Sequence, residues 1–219
     1  MIRVLIADDQ AIVRAGLTVV LEAAGDIEVV GEAADGHQAV DLARELRPDV
    51  VCMDIRMPGR DGIEATRILS ADDEPVPVLV MTTFDLDDYV FGAVEAGAAG
   101  FLLKGADEDT LVRAVRSVAS GEGTLDERLT RRVLSEFSRR RPAPAPPSAD
   151  IALTPRELDI LRLLAEGLSN REIGERLFVE LTTVKFHVAG LLTKLGARDR
   201  LQAVVWAFRH GVVTPTAGE

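Results

Sequence analysis

Residues 2–9 read Ile-Arg-Val-Leu-Ile-Ala-Asp-Asp (IRVLIADD), an apolar run that ends on two acids. The construction recurs along the first half of the chain. Asp54 follows residues 49–53 (DVVCM), Thr82 follows residues 78–81 (VLVM), and Lys104 follows residues 101–103 (FLL). Short, nearly continuous apolar runs suit strands covered on both faces, as in a parallel sheet between helices. In such a sheet the ends of the strands share one edge, where open α/β sheets bind their ligands. Three carboxylates gathered there repel one another unless a divalent cation joins them, and hard oxygen donors suit Mg2+. Thr82 and Lys104 add two donors for an anion beside that cation. The set is suited to placing a phosphoryl group on an aspartate and sensing it.

The segments between these runs carry helical periodicity, so strand and helix signals alternate. Residues 11–23 repeat apolar positions at helical spacing and stop at Gly25. A second strand is expected over 28–33, followed by a helix from Asp35-Gly36 that ends before Pro48. After Asp54, the stretch Arg56-Met57-Pro58-Gly59-Arg60-Asp61-Gly62 is rich in breakers and keeps the aspartate exposed. Helices are expected over 62–70, 85–96 and 107–120, with a strand over 99–103. The count is five parallel strands and five helices, a doubly wound α/β fold occupying residues 1–120.

Residues 125–137 read as a further amphipathic helix. Residues 139–150 (RRRPAPAPPSAD) hold four prolines in twelve positions, which suits an extended, semi-rigid linker. The three arginines there can touch phosphates or simply remain solvated. Residues 151–219 are helical in pattern. Thr154-Pro155-Arg156-Glu157 and Ser169-Asn170-Arg171-Glu172 are capping boxes, the first with proline at the opening helical position. Helices follow over 155–166, 170–177, 182–195 and 200–210. The second and third, joined by residues 178–181, form a helix-turn-helix. In its second helix, Val184, Val188, Leu191, Leu192 and Leu195 recur at core spacing. Thr182, Lys185, Phe186, Ala189 and Thr193 lie on the opposite stripe. That face suits the major groove. Lys185 can reach guanine or phosphate, Thr182 or Thr183 a phosphate, and Phe186 a thymine methyl. Phe186 can equally pack at the core edge or on a second subunit, and His187 reads as a local hydrogen-bonding residue. In the last helix Trp206 serves either the core or a subunit contact.

Composition sets the remaining bounds. At 219 residues and 47% hydrophobic content the chain builds real cores. Its one cysteine, Cys52, lies inside an apolar run and reads as an inert core thiol, not a disulfide partner. No apolar stretch reaches the roughly 18–20 residues of a membrane span. Acids at positions 8 and 9 interrupt what would be a signal-peptide core. A soluble, cytoplasmic protein is expected. The net charge of −11 divides unevenly: residues 1–120 hold 10 basic and 23 acidic side chains, while residues 151–219 hold 9 and 8. A nearly neutral C-terminal part predicts weak nonspecific DNA affinity for a single copy, which pairing would remedy.

Residues 1–120 resemble the receiver domain of two-component response regulators. The stretches LTPRELDILRLLAEGLSNREIGERLF and TVKFHVAGLLTKLGARDRLQAV resemble the helix-turn-helix output of the NarL/FixJ (LuxR-type) branch. The resemblance implies that Asp54 accepts the phosphoryl group from a sensor histidine kinase. It implies Mg2+ held by Asp9, Asp54 and the backbone carbonyl of Arg56, with Asp8 acting through water. Lys104 would pair with the phosphoryl group, Thr82 would hydrogen-bond it, and Phe101 takes the aromatic switch position, turning inward on activation. Residues 121–150 become a helix and linker, and residues 151–219 a domain whose last helix, through Trp206 and Val205, pairs two copies on double-stranded promoter DNA once phosphorylated. The protein is then a transcription regulator and not an enzyme, with no membrane partner. Some positions depart from the pattern. Gly105 follows Lys104 in place of proline or aspartate, Glu180 stands at the usual small capping position, and Phe186 and Ala189 are apolar where relatives are often polar. Phe84 is placed to slow loss of the phosphoryl group by restricting water. Three other readings use parts of the same sequence: an aspartyl-phosphate phosphohydrolase, a phosphorylation-independent binding module and a small-molecule-sensing LuxR regulator. The first leaves the helix-turn-helix without purpose, the second the acidic set, and the third lacks a reason for a ligand cavity.

Overall fold

Five strands pair in parallel in the order β2-β1-β3-β4-β5: β1 (Ile2–Ala7), β2 (Ile27–Ala33), β3 (Val50–Asp54), β4 (Val78–Thr82) and β5 (Gly100–Leu103). The computed structural model describes residues 1–82, 87–123, 151 and 153–213. The helix expected over 125–137, the proline-rich linker over 139–150 and Phe84 lie outside the described residues. Helices α1 (Ala11–Ala23), α2 (Gly36–Leu46), α3 (Gly62–Ala71), α4 (Asp87–Ala96) and α5 (Glu108–Ala119) separate the strands. The doubly wound α/β sheet read from the sequence is the observed fold.

Burial follows strand position. Every residue of the central strands β3 and β4 is buried, because helices cover both faces. Alternate side chains divide between the two faces. Val4, Ile6, Val50, Cys52, Leu79, Met81 and Leu102 form one core with Leu21 of α1 and Leu111, Val115 and Val118 of α5. Helices α2, α3 and α4 pack against one another in sequence order, with α2 on β1 and β2 and α3 on β3. The strand bounds correct one detail of the sequence reading. Asp54 and Thr82 are the last residues of β3 and β4, and do not follow them. Ladder pairing of Asp54 with Met81 carries β3 one residue further.

The chain divides into two units, residues 1–124 and 125–219. In the second, α6 (Pro155–Ala165), α7 (Asn170–Leu177), α8 (Leu181–Leu195) and α9 (Arg200–Arg209) pack around Ile160, Leu161, Leu164, Ile173, Val184, Val188, Leu191, Leu195, Val204 and Ala207. Both expected capping boxes form, at Thr154/Glu157 and Ser169/Glu172. Helix α8 begins one residue earlier than its pattern suggested, because Glu180 takes the N-cap position. A β-carbon at Gly174 would lie 2.8 Å from the Val179 carbonyl oxygen, so the α7–α8 turn closes only over glycine.

Candidate functional site

Parallel pairing of β1 with β3, Ala7 opposite Met53, brings the end of β1 beside Asp54. Carboxylate oxygens of Asp8, Asp9 and Asp54 all lie within 4.8 Å of one another. Asp8 and Asp54 are buried, at 1% and 6% exposure, and Asp9 is exposed; the breaker-rich stretch does not keep Asp54 exposed as expected, because Asp54 ends a strand covered on both faces. Lys104, just past β5, reaches both buried acids: its Nζ lies 2.7 Å from Asp8 Oδ2 and 2.8 Å from Asp54 Oδ2. The Lys104 amide donates to the Thr82 carbonyl at 2.8 Å, which fixes the lysine backbone to the end of β4. Thr82 is itself buried. The sequence-predicted set of Asp8, Asp9, Asp54, Thr82 and Lys104 therefore shares one edge.

Electrostatics follow from that packing. Burial pushes the Asp54 carboxyl above its ordinary value, and the charge on Asp8 adds to the rise; Lys104 and the Arg56 amide offset it only in part. For Lys104, burial disfavours the ammonium, but hydrogen bonds and attraction to Asp54 and Asp8 outweigh it and hold the group above its ordinary value. One ammonium against three carboxylates leaves an excess of two negative charges. Hard oxygen donors carrying that excess fit a divalent cation such as Mg2+.

Several contributors carried no sequence signal. The Gln10 amide donates to Asp8 Oδ1 at 2.9 Å, and Arg14 donates to the Asp8 carbonyl at 2.8 Å while pairing with Glu32 at 3.0 Å. These contacts hold the β1–α1 turn. Gly62, read in the sequence only as a breaker, also sets the clearance at the aspartate. A β-carbon there would lie 1.9 Å from the Asp54 carbonyl oxygen, and the Gly62 amide donates to Ile55 at 2.8 Å. The breaker-rich loop is thus pinned beneath the aspartate. The Arg56 backbone amide bonds Asp54 and draws its carboxyl down. Phe101 is buried on β5. Cys52 is buried, and burial pushes its thiol up to about 12, as suits an inert core group.

In the helical unit, Val184, Val188, Leu191 and Leu195 of α8 are buried and Leu192 is half-buried. Thr182, Lys185, Phe186, Ala189 and Thr193 are exposed, and Thr183 is half-buried. Phe186 is 77% exposed, so it does not pack at the edge of its own core; His187 meets its ring edge-on at 5.8 Å. Trp206 is half-buried against the helical core and stacks on His210 at 4.2 Å, and Val205 is buried.

A doubly wound sheet with clustered acids and a lysine at its carboxyl edge, joined to a helix-turn-helix, defines a regulator whose receiving and DNA-binding parts are separate. Residues 4–116 match the response regulator receiver domain, and residues 152–207 match the LuxR family of bacterial regulatory proteins. The transcriptional regulatory protein LiaR of Bacillus subtilis is 45% identical over 213 residues, covering 97% of this chain and all of that protein. LnrK of the same organism, also a transcriptional regulatory protein, is 41% identical over 97% of this chain and 99% of its own length. The crystal structure of ChrA, a response regulator of a heme-sensing two-component system, superposes with a TM-score of 0.54 at 39% identity, over 97% of this chain and 98% of that one. The chain belongs to the two-component response regulators that carry a receiver domain and a LuxR-type DNA-binding domain. Among the described residues no helix is long and apolar enough to cross a membrane.

Proposed function

We propose that a sensor histidine kinase phosphorylates this regulator on Asp54, and that the phosphoryl group drives two copies to pair and bind promoter DNA. The observation that carries this reading is the shared edge of Asp8, Asp9, Asp54 and Lys104, with Lys104 bridging the two buried acids. Asp9, Asp54 and the Arg56 carbonyl would hold Mg2+, and Asp8 would reach it through water. When bound, the ion neutralises charge on the phosphoryl oxygens during transfer. An Asp54 oxygen attacks the phosphorus of the kinase phosphohistidine in line as the P–N bond breaks. Lys104 then exchanges its Asp54 contact for a phosphoryl oxygen, and the Thr82 hydroxyl donates to another.

The buried position of Phe101 belongs to one of two states between which phosphorylation shifts the population. That shift passes from residues 1–120, through residues 121–150, to residues 151–219. The output domain then reads DNA with Thr182, Thr183, Lys185, Phe186 and Ala189, and pairs through the α9 surface around half-buried Trp206; Val205, expected beside it, is buried and does not form part of that surface. Helix-turn-helix pairs read half-sites about one helical turn apart. The protein acts in the cytoplasm, where kinase domain and chromosome are both within reach.

Solution mass tests this reading. With beryllofluoride and Mg2+ the wild type is expected to change from monomer to dimer, and Asp54→Asn to stay monomeric. A wild-type mass that ignores the phosphoryl mimic overturns phosphorylation-driven pairing. Phosphoryl label retained by Asp54→Ala would move the acceptor elsewhere.

A further inference from the structure

Apart from Lys185, the exposed face of α8 lacks the usual long polar side chains of base reading. Arginine and lysine read guanine, asparagine and glutamine read adenine, and acids read cytosine. Residues 181–193 (LTTVKFHVAGLLT) contain no Arg, Asn, Gln, Asp or Glu. What the helix presents outward is Thr182, Lys185, Phe186, Ala189 and Thr193, with the Thr193 hydroxyl bonded to its own backbone at Ala189. Phe186 and Ala189 are three residues apart and so neighbours on one face. Phenylalanine and alanine are side chains that pack against the 5-methyl group of thymine, the one apolar group that a base edge offers in the major groove. The Phe186 ring stands 77% exposed yet is braced edge-on by His187, an arrangement with a preset surface and an empty side.

The geometry points to Phe186 and Ala189 as a thymine-methyl reader: each half-site contains a thymine recognised by its methyl group, beside a guanine or phosphate taken by Lys185. This rests on α8 being the helix that enters the major groove. Recognition at that base then depends on apolar contact and not on a hydrogen bond.

The test begins with a random-sequence duplex library selected on the full-length protein in beryllofluoride and Mg2+. The enriched duplex is resynthesised with each thymine replaced singly by deoxyuracil, which removes the methyl and leaves every hydrogen bond. Wild type is expected to lose about fourfold in affinity at one thymine per half-site, the worth of one buried methyl. Phe186→Ala should bind thymine and deoxyuracil duplexes alike, while Phe186→Leu should keep the preference. Because Phe186 is exposed, neither variant strips the core. Equal wild-type affinity for every deoxyuracil duplex overturns the methyl assignment alone, as does a preference that survives in Phe186→Ala. A library with no enriched sequence overturns the DNA-reading role of α8, and this assignment with it.

Discussion

Asp54 is held where burial and the neighbouring Asp8 both disfavour its charge, and its carboxyl lies above the ordinary value. Relative to the unfolded chain, the folded receiver therefore favours the protonated form. Its contribution to stability is complete below the ordinary carboxylate value and is lost as pH rises through the folded one. At pH 7 the ionised carboxylate is a cost that the proposed phosphoryl transfer to Asp54 requires. Asp54→Asn removes that charge and leaves Lys104 paired with Asp8. We expect it to stabilise the receiver by about 0.5–2 kcal/mol at pH 7, as functional-site neutralisation often does. Denaturant midpoints at pH 5 and pH 7, followed by amide exchange in β3 and β4, check this; a destabilised variant would contradict it. The aspartate proposed as acceptor was legible at the end of an apolar run. Its raised carboxyl was not, since that depends on burial within the packed sheet edge and on the charge of Asp8, brought in from the end of another strand.

At the scale of elements, capping residues separate what was legible from what was not. The boxes at Thr154 and Ser169 are local patterns, three residues long in reach, and both formed as read. Helix α8 is capped less well: Glu180 makes no side-chain hydrogen bond to its amides. Glu180→Ser is expected to stabilise the helical unit by about 1 kcal/mol, the usual worth of a good N-cap. Removing that acid should also strengthen DNA binding if residue 180 faces phosphate. Thermal unfolding and a binding titration on the same variant check the two effects separately.

Helix α9 holds a cap that sequence reasoning passed over. Asp199 accepts from the Gln202 amide, yet it is buried, and burial pushes its carboxyl up to about 6. The folded unit keeps this proton where the unfolded chain has released it. Stability from Asp199 is therefore full below pH 4 and falls as pH rises through 6. The loss by pH 7 is roughly 3 kcal/mol at about 1.4 kcal/mol per tenfold change in proton affinity. Asp199→Asn, which caps equally well, should flatten that slope. The chain's one tryptophan, Trp206, lies on α9 and reports the transition. A wild-type slope that survives in Asp199→Asn would refute the assignment.

For the whole molecule, charge is segregated: the acidity resides in residues 1–120 and residues 151–219 are nearly neutral. An acidic domain tethered to a DNA reader lowers its nonspecific affinity through long-range repulsion. The fragment 151–219 is expected to bind random duplex about tenfold more tightly than the full chain at low salt, and equally once salt shortens the screening length to about 3 Å near 1 M. Fluorescence anisotropy across a salt series measures both limits. A gap that ignores salt would point to a contact and not to charge.

The sequence by itself determined the sheet class, the division of charge, the helix-turn-helix and the identity of the edge residues. It did so because apolar period, breakers and caps act over a few positions, and because parallel strands must bring their ends to one edge. Only the tertiary structure decided how those ends engage. Asp8 and Lys104 are 96 positions apart, and their 2.7 Å contact depends on β1 and β5 being brought to one edge across the sheet. The hold of Arg14 on the Asp8 carbonyl, the clearance Gly62 leaves under Asp54 and the outward stance of Phe186 arise in the same way. Each is a distance between surfaces, and local pattern carries no information about distances until the chain has packed.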